Sequence, residues 1–156
     1  MPFLKPGDPA PDFELSTDAG TPLRLSALRG RSVVLYFYPK DDTPGCTKEA
    51  CGLRDDFGAF ARAGVVILGI SPDGAASHAL FSQKYALPFP LLADDGHRVA
   101  DQYGAWGKKS FLGKEYMGVL RTTFVIGANG RLAQVFENVK PEGHAREILA
   151  ALGLAG

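Results

Sequence analysis

The chain is poor in cysteine: it has only Cys46 and Cys51 in 156 residues. Two thiols do not make the disulfide framework that staples small secreted domains, and a chain this long buries a sizeable core without staples. No Cys-x-x-Cys occurs, and the three histidines, His78, His97 and His144, combine with the cysteines in no zinc-ligand spacing. There is no excess of either charge, since Lys plus Arg and Asp plus Glu each number 17. That balance argues against a chain built to hold nucleic acid or an acidic membrane surface. No segment reaches the roughly 18 apolar residues of a membrane span. The start, Met-Pro-Phe-Leu-Lys-Pro-Gly-Asp, lacks the basic region and apolar stretch of a secretory signal. Repeats, low-complexity segments and linkers are missing as well. The expectation is a single domain over residues 1–156, cytoplasmic by default, with no metal and no membrane or nucleic-acid partner.

What is present is organised around Phe37 to Ala50. A β-branched and aromatic run, Val33 to Tyr38, reads as a central strand covered on both faces. A helix follows, predicted from Pro44 to about Ala63, with Thr43 as N-cap and Pro44 at the first helical position. Cys46, Ala50, Leu53, Phe57 and Phe60 form one apolar stripe on it, and Gly64 closes it. Upstream, Asp12–Leu15 and Thr21–Leu25 read as short strands about an Asp18-Ala19-Gly20 turn. Downstream, a strand over Val65–Ser71 leads into a helix over Ala75–Tyr85. A strand at Phe89–Leu92 and a short helix over His97–Tyr103 come next. Gly104–Leu120 carries little pattern and reads as a loop with some strand at its end. Thr122–Ile126 and Arg131–Glu137 form a hairpin through Ala128-Asn129-Gly130, and Glu142–Leu152 is a terminal helix. This order predicts an α/β thioredoxin-like fold: a central mixed β-sheet flanked by helices, with an N-terminal extension.

Cys46 lies in the first turn of its helix, where free backbone N–H groups and the macrodipole favour a thiolate over a thiol. A cation adds to this effect, and Arg121, at the start of a core strand, is the candidate. The competing reading is an inert core cysteine, which also suits the stripe. Cys51 follows five positions on. Along an ideal helix that step turns about 140° and rises roughly 7.5 Å, so the Cα atoms lie about 8.7 Å apart. A disulfide needs them within about 7 Å, so if these cysteines pair, the first turns of the helix must unwind. Cys51 falls on the Asp55 and Arg62 side, away from the stripe. Gly52 and Gly58 each weaken the helix by about 1 kcal/mol relative to alanine.

The stretch Pro39-Lys40-Asp41-Asp42-Thr43-Pro44-Gly45-Cys46-Thr47-Lys48-Glu49-Ala50-Cys51 resembles the active-site segment of peroxiredoxins, and more narrowly their bacterioferritin-comigratory-protein or peroxiredoxin Q branch. The family pattern of Pro, three residues, Thr or Ser, two residues and Cys falls on Pro39, Thr43 and Cys46. Gly7 to Phe13, Gly104 to Gly107 and Tyr116 to Phe124 extend the similarity along nearly the whole chain. Gly127 departs from it, since relatives often carry Asp there, at a place distant from the chemistry.

The resemblance implies a thiol-dependent peroxidase acting on hydrogen peroxide and organic hydroperoxides without a cofactor. It makes Cys46 the peroxidatic cysteine and Cys51 the resolving one, joined in an intramolecular disulfide. Thr43 and Pro39 become the peroxide-binding and shielding residues, and Arg121 the cation that stabilises the thiolate and the leaving oxygen. Glu49 is implied to orient Arg121; the plainer reading makes it a solvated helix residue. A thioredoxin- or glutaredoxin-type reductant and a monomer are implied too. Two rivals remain: a thioredoxin-like thiol–disulfide oxidoreductase, which the missing Cys-x-x-Cys disfavours, and a non-enzymatic binding or holdase module with idle thiols. Lys108, Lys109 and Lys114 read as a solvated basic cluster, Trp106 and Phe111 as packing residues, and Asp94 and Asp95 as parts of a turn.

Overall fold

Strand β3 (Val33–Phe37) is buried along its whole length and sits inside a seven-stranded sheet. It pairs in parallel with β4 (Val66–Ser71) on one side and antiparallel with β8 (Thr122–Ile126) on the other. The computed structural model describes residues 4–154, so the first three and last two positions of the expected domain lie outside the described residues. The remaining strands of the sheet are β1 (Glu14–Thr17), β2 (Pro22–Arg24), β5 (Leu91–Ala93) and β9 (Leu132–Phe136), and the order is β2-β1-β5-β4-β3-β8-β9. Its core strands β3, β4 and β5 run in parallel, with antiparallel strands at both sides, which is the mixed sheet expected from the sequence.

The two-residue period of β3 divides the core in two. Val34 and Tyr36, with Tyr38 just beyond the strand, face a cluster that holds Cys46, Ala50, Leu53, Phe60, Phe81 and Ile148. These side chains come from helices α1 (Pro44–Asp55), α2 (Phe57–Arg62), α3 (Ala75–Tyr85) and α5 (His144–Ala151). Val33, Leu35 and Phe37 face the opposite cluster, with Phe13 and Leu15 of the N-terminal extension and with Val99 and Ala100 of α4 (Arg98–Gln102). His144, buried, bridges the Thr123 hydroxyl at 2.7 Å and the Glu147 carboxylate at 2.8 Å, which pins the start of α5 against β8.

Two expectations need correction. The single helix predicted over Pro44–Ala63 is broken at Asp56 (φ −99°, ψ 7°), where α1 ends and α2 begins. Asp56 and Gly58 are weak helix formers two residues apart, and Asp56 Oδ2 accepts a hydrogen bond from Arg146 Nε of α5 at 3.0 Å. The re-aimed second segment buries Phe60 completely and leaves Phe57 half-buried. Gly64 does close it, at φ +73°. Gly104–Leu120 has the strand expected at its end, but the part before it is not a loop. The stretch forms a separate two-stranded hairpin, β6 (Trp106–Phe111) with β7 (Lys114–Val119), paired from Trp106↔Val119 to Phe111↔Lys114. Its turn, Leu112-Gly113, has φ of +52° and +79°, the positive pair a type I′ turn needs, but without the usual Asn-Gly signal. Most of its residues face solvent, so the sequence shows no alternation of apolar and polar. Phe111 is exposed rather than packed, whereas Trp106 stacks on His97 at 3.7 Å between ring centroids.

Candidate active site

Strand pairing brings the site together. The register places Phe37 opposite Thr122, so the chain leaving β3 and the chain entering β8 lie at the same edge of the sheet. The first leads through Tyr38 to Thr43 into α1, and the second carries Arg121. Cys46 sits in the first turn of α1 with 1% of its surface exposed. Arg121 Nη2 donates to Cys46 Sγ at 3.4 Å, and Nη1 donates to Glu49 Oε1 at 2.7 Å. One guanidinium thus spans the thiol and a carboxylate one turn further along the helix. Gly45 permits this approach: a Cβ there would lie 3.2 Å from Arg121 Nη2 and 3.4 Å from Pro141 Cγ.

Glu49 is not a solvated helix residue. Its side chain has no exposed surface, and Oε2 has no hydrogen-bond partner among the described residues. Burial pushes its pKa up to about 7, although the Arg121 charge and hydrogen bond pull it down. A group whose pKa is raised in the folded state binds more protons there than when unfolded. The fold therefore loses stability as pH rises from about 4.5 to about 7. Glu49→Gln should flatten the pH dependence of urea-unfolding free energy across that range, by up to about 3 kcal/mol. An equally steep profile in the variant would place the effect elsewhere.

Thr43 holds the N-cap position, with extended backbone and its carbonyl accepting the Thr47 N–H at 2.8 Å. The expected side-chain cap is not made. Its hydroxyl instead donates to the Lys40 carbonyl at 2.8 Å, across the loop that carries Pro39. The helix N–H groups near Cys46 are thereby left without that cap. Pro39 and Thr43 are both half-buried. Cys51 is also half-buried, five residues along the same continuous helix, and both thiols are free. A Cβ at Gly52 would meet nothing within 4 Å, so packing does not require that glycine.

The chain's likeness to known proteins agrees with this constellation. Residues 6–135 match the model of the AhpC/TSA family. The peroxiredoxin Bcp of Bacillus subtilis is 48% identical over 146 residues, covering 94% of this chain and 93% of the relative. The chain belongs to the AhpC/TSA family, within its Bcp/PrxQ peroxiredoxins. It is a thiol peroxidase. Among solved structures, a cysteine mutant of Xylella fastidiosa PrxQ superimposes with a TM-score of 0.92 at 30% identity, covering 98% of both chains. The bacterioferritin comigratory protein of Xanthomonas campestris, studied for its alkyl peroxide reduction, gives a TM-score of 0.86 at 38% identity over 90% of both chains. The thioredoxin-like architecture expected from the element order is the fold of these peroxiredoxins.

Several polar contacts at and beyond this peroxiredoxin site were missed in the sequence. Lys109 is not simply solvated: Nζ donates to the Val119 carbonyl at 2.8 Å. Its pKa is lowered, chiefly by burial and next by the nearby Arg121 charge. Only the unexpected hairpin could have placed it there. Asp94 is more than a turn residue, since its buried carboxylate accepts the Val99 and Ala100 N–H groups at 3.0 and 2.9 Å and caps α4. Asp41 and Asp42, inside the quoted motif, tie the loop to α3. Asp42 takes Lys84 Nζ at 2.8 Å and the Tyr85 hydroxyl at 2.9 Å. No local signal marks these contacts, because the partners lie 42 and 43 residues further along the chain.

Proposed function

We propose that Cys46 is the peroxidatic cysteine, Cys51 the resolving cysteine, and Arg121 the group that stabilises charge during O–O cleavage. The observation that carries this reading is the single guanidinium donating to Cys46 Sγ at 3.4 Å while anchored on buried Glu49 at 2.7 Å. The thiolate sulfur attacks the terminal oxygen of a hydroperoxide. A sulfur–oxygen bond forms, the O–O bond breaks, and its electron pair leaves on the second oxygen, which takes up a proton as water or alcohol. Arg121 neutralises charge that moves from sulfur to this leaving oxygen. Thr43 turns its hydroxyl from the Lys40 carbonyl to the incoming peroxide, and Pro39 shields the site from water. Glu49 fixes the guanidinium in place.

The sulfenic acid then condenses with the Cys51 thiol, releasing water and forming the Cys46–Cys51 disulfide before further oxidation to sulfinic acid. A dithiol protein of the thioredoxin or glutaredoxin type returns two electrons and two protons. We read the protein as a monomeric single-domain enzyme of the cytoplasm. Among the described residues, no helix is long and apolar enough to cross a membrane.

Stopped-flow mixing of the reduced protein with hydrogen peroxide tests the reading: one equivalent should be consumed rapidly, with loss of both free thiols. Slow consumption, or loss of one thiol alone, would contradict it. The helical step between the cysteines adds a structural requirement. In an intact α1 their Cα atoms are held about 8.7 Å apart, beyond disulfide reach. Oxidation should therefore lower helical circular dichroism and speed amide exchange from Thr43 to Arg54. A verified disulfide with unchanged dichroism and exchange would show that no unwinding is needed.

A further inference from the structure

The loop that delivers Cys46 is gripped by a buried polar cluster with no part in the chemistry above. Asp41 Oδ1 accepts the Tyr38 hydroxyl at 2.6 Å, and Oδ2 accepts the Ser77 hydroxyl at 2.7 Å. His78, fully buried on α3, places Nδ1 2.7 Å from the same Oδ2 and Nε2 2.8 Å from the Leu92 carbonyl oxygen. A carbonyl oxygen can only accept, so Nε2 carries a hydrogen. The Nδ1–Oδ2 contact also needs a proton, because two lone pairs at that distance repel. Two hydroxyls already donate to this carboxyl group, an arrangement that suits the carboxylate and not the acid. A proton is therefore shared between His78 Nδ1 and Asp41 Oδ2, with the Tyr38 hydroxyl also 3.4 Å from Nδ1.

The surroundings are complete. Tyr38 faces the pair from just beyond β3, Ser77 from α3 itself, and the Leu92 carbonyl from β5. Asp73, in the turn before α3, is the other carboxylate nearby, and its Oδ2 accepts the Asp41 backbone N–H at 2.6 Å. Burial works against the Asp41 charge, but the hydrogen bonds from His78, Tyr38 and Ser77 outweigh it and hold the carboxyl below its usual range. The next residue, Asp42, has φ of +58°, a left-handed conformation that aspartate adopts more readily than most non-glycine residues. The Asp42 contacts to Lys84 and Tyr85 are exposed. The buried grip is the one at Asp41.

We propose that His78 and Asp41 form a positioning latch that holds the segment before Cys46 against α3 in the reduced enzyme, and that its grip sets how readily the first turns of α1 open. The proposal rests on the disulfide stage proposed above, because that stage is what requires the opening. Holding the loop keeps Cys46 beside Arg121 for peroxide; releasing it lets Cys46 reach Cys51. The latch thus favours the first step and restrains the second.

The test uses the reduced full-length enzyme at pH 7. In the parent protein, His78 Nε2 should show a protonated 15N shift and Nδ1 the shift of a nitrogen that shares a proton. Asp41→Asn should speed amide exchange over residues 42–47 about tenfold, as loss of a charge-assisted bond implies, while β9 amides stay unchanged. After addition of peroxide, disulfide formation should accelerate about three- to tenfold, while peroxide consumption slows. Ser77→Ala, a milder change that leaves the ring untouched, should move each rate in the same direction by about twofold, and it carries the comparison if Asp41→Asn does not fold. A bare Nδ1 in the parent, sharing no proton, would overturn the latch. So would unchanged exchange over residues 42–47, or exchange that accelerates as much in β9 as in the loop. If the ring and exchange results hold but the parent forms no Cys46–Cys51 bond, the disulfide reading fails while the positioning role stands.

Discussion

Cys46→Ser should abolish peroxide consumption, with a loss on the order of 10⁴-fold or more, as expected when a covalent nucleophile is removed. The hydroxyl of serine stays protonated at neutral pH and is a poor nucleophile toward an O–O bond, so no neighbouring group compensates. The fold should survive, because sulfur and oxygen differ little in size and the site is lined by groups that hydrogen-bond either. The measurement is stopped-flow peroxide decay with the variant, alongside thermal unfolding of the reduced forms. Residual turnover within tenfold of the parent would move the nucleophile to Cys51 or remove thiol chemistry from the site. Cys51→Ser makes the complementary comparison, since it should leave the first peroxide equivalent fast and let Cys46 proceed to sulfinic acid.

Arg121→Ala should slow the peroxide reaction by about 10²- to 10³-fold, the usual effect of deleting one preorganised donor from a site where charge develops. Two losses combine in this variant. The sulfur loses the donor at 3.4 Å, and Glu49, with no exposed surface, loses the cation that balances it. A buried carboxylate left alone is expensive, so Glu49 should take up a proton and the structure should lose stability. Arg121→Lys separates these effects, because an ammonium keeps the charge but not the fork that reaches sulfur and carboxylate together. Its rate should fall between those of the parent and the alanine variant. Equal rates in the parent and Arg121→Ala, measured by peroxide decay at several concentrations, would remove the role assigned to Arg121.

The strands and helices that bury an apolar face were legible, because their periodicity is the physical cause of their burial. The β3 run, the stripe from Cys46 to Phe60 and the Ala128-Asn129-Gly130 hairpin all belong to this class. The β6–β7 hairpin was not legible: it buries little, and its turn uses Leu112-Gly113. The break at Asp56 combines weak local helix formers with a contact to Arg146, 90 residues away, which no local propensity records. Within the site, the motif alone placed Cys46, Thr43 and Pro39 in one segment. The meeting of Arg121 with Cys46 depends on the pairing of β3 with β8, a tertiary fact. Thr43 shows how a correct position can hide a different bond, since its hydroxyl turns back to Lys40 and not into the helix. Asp41 and His78 lie 37 residues apart and carry no joint signature in the sequence.

The most direct test is peptide mapping of the protein after one equivalent of hydrogen peroxide, under non-reducing conditions. Trypsin cuts after Lys40, Lys48 and Arg54, and so places Cys46 and Cys51 on separate peptides, 41–48 and 49–54. A Cys46 nucleophile with an intramolecular partner predicts that these two peptides run as one disulfide-linked species in a chain of monomer mass, separating on reduction. Peptide 41–48 carrying a sulfinic acid while Cys51 remains a free thiol, or a linkage found only between two chains, would contradict it.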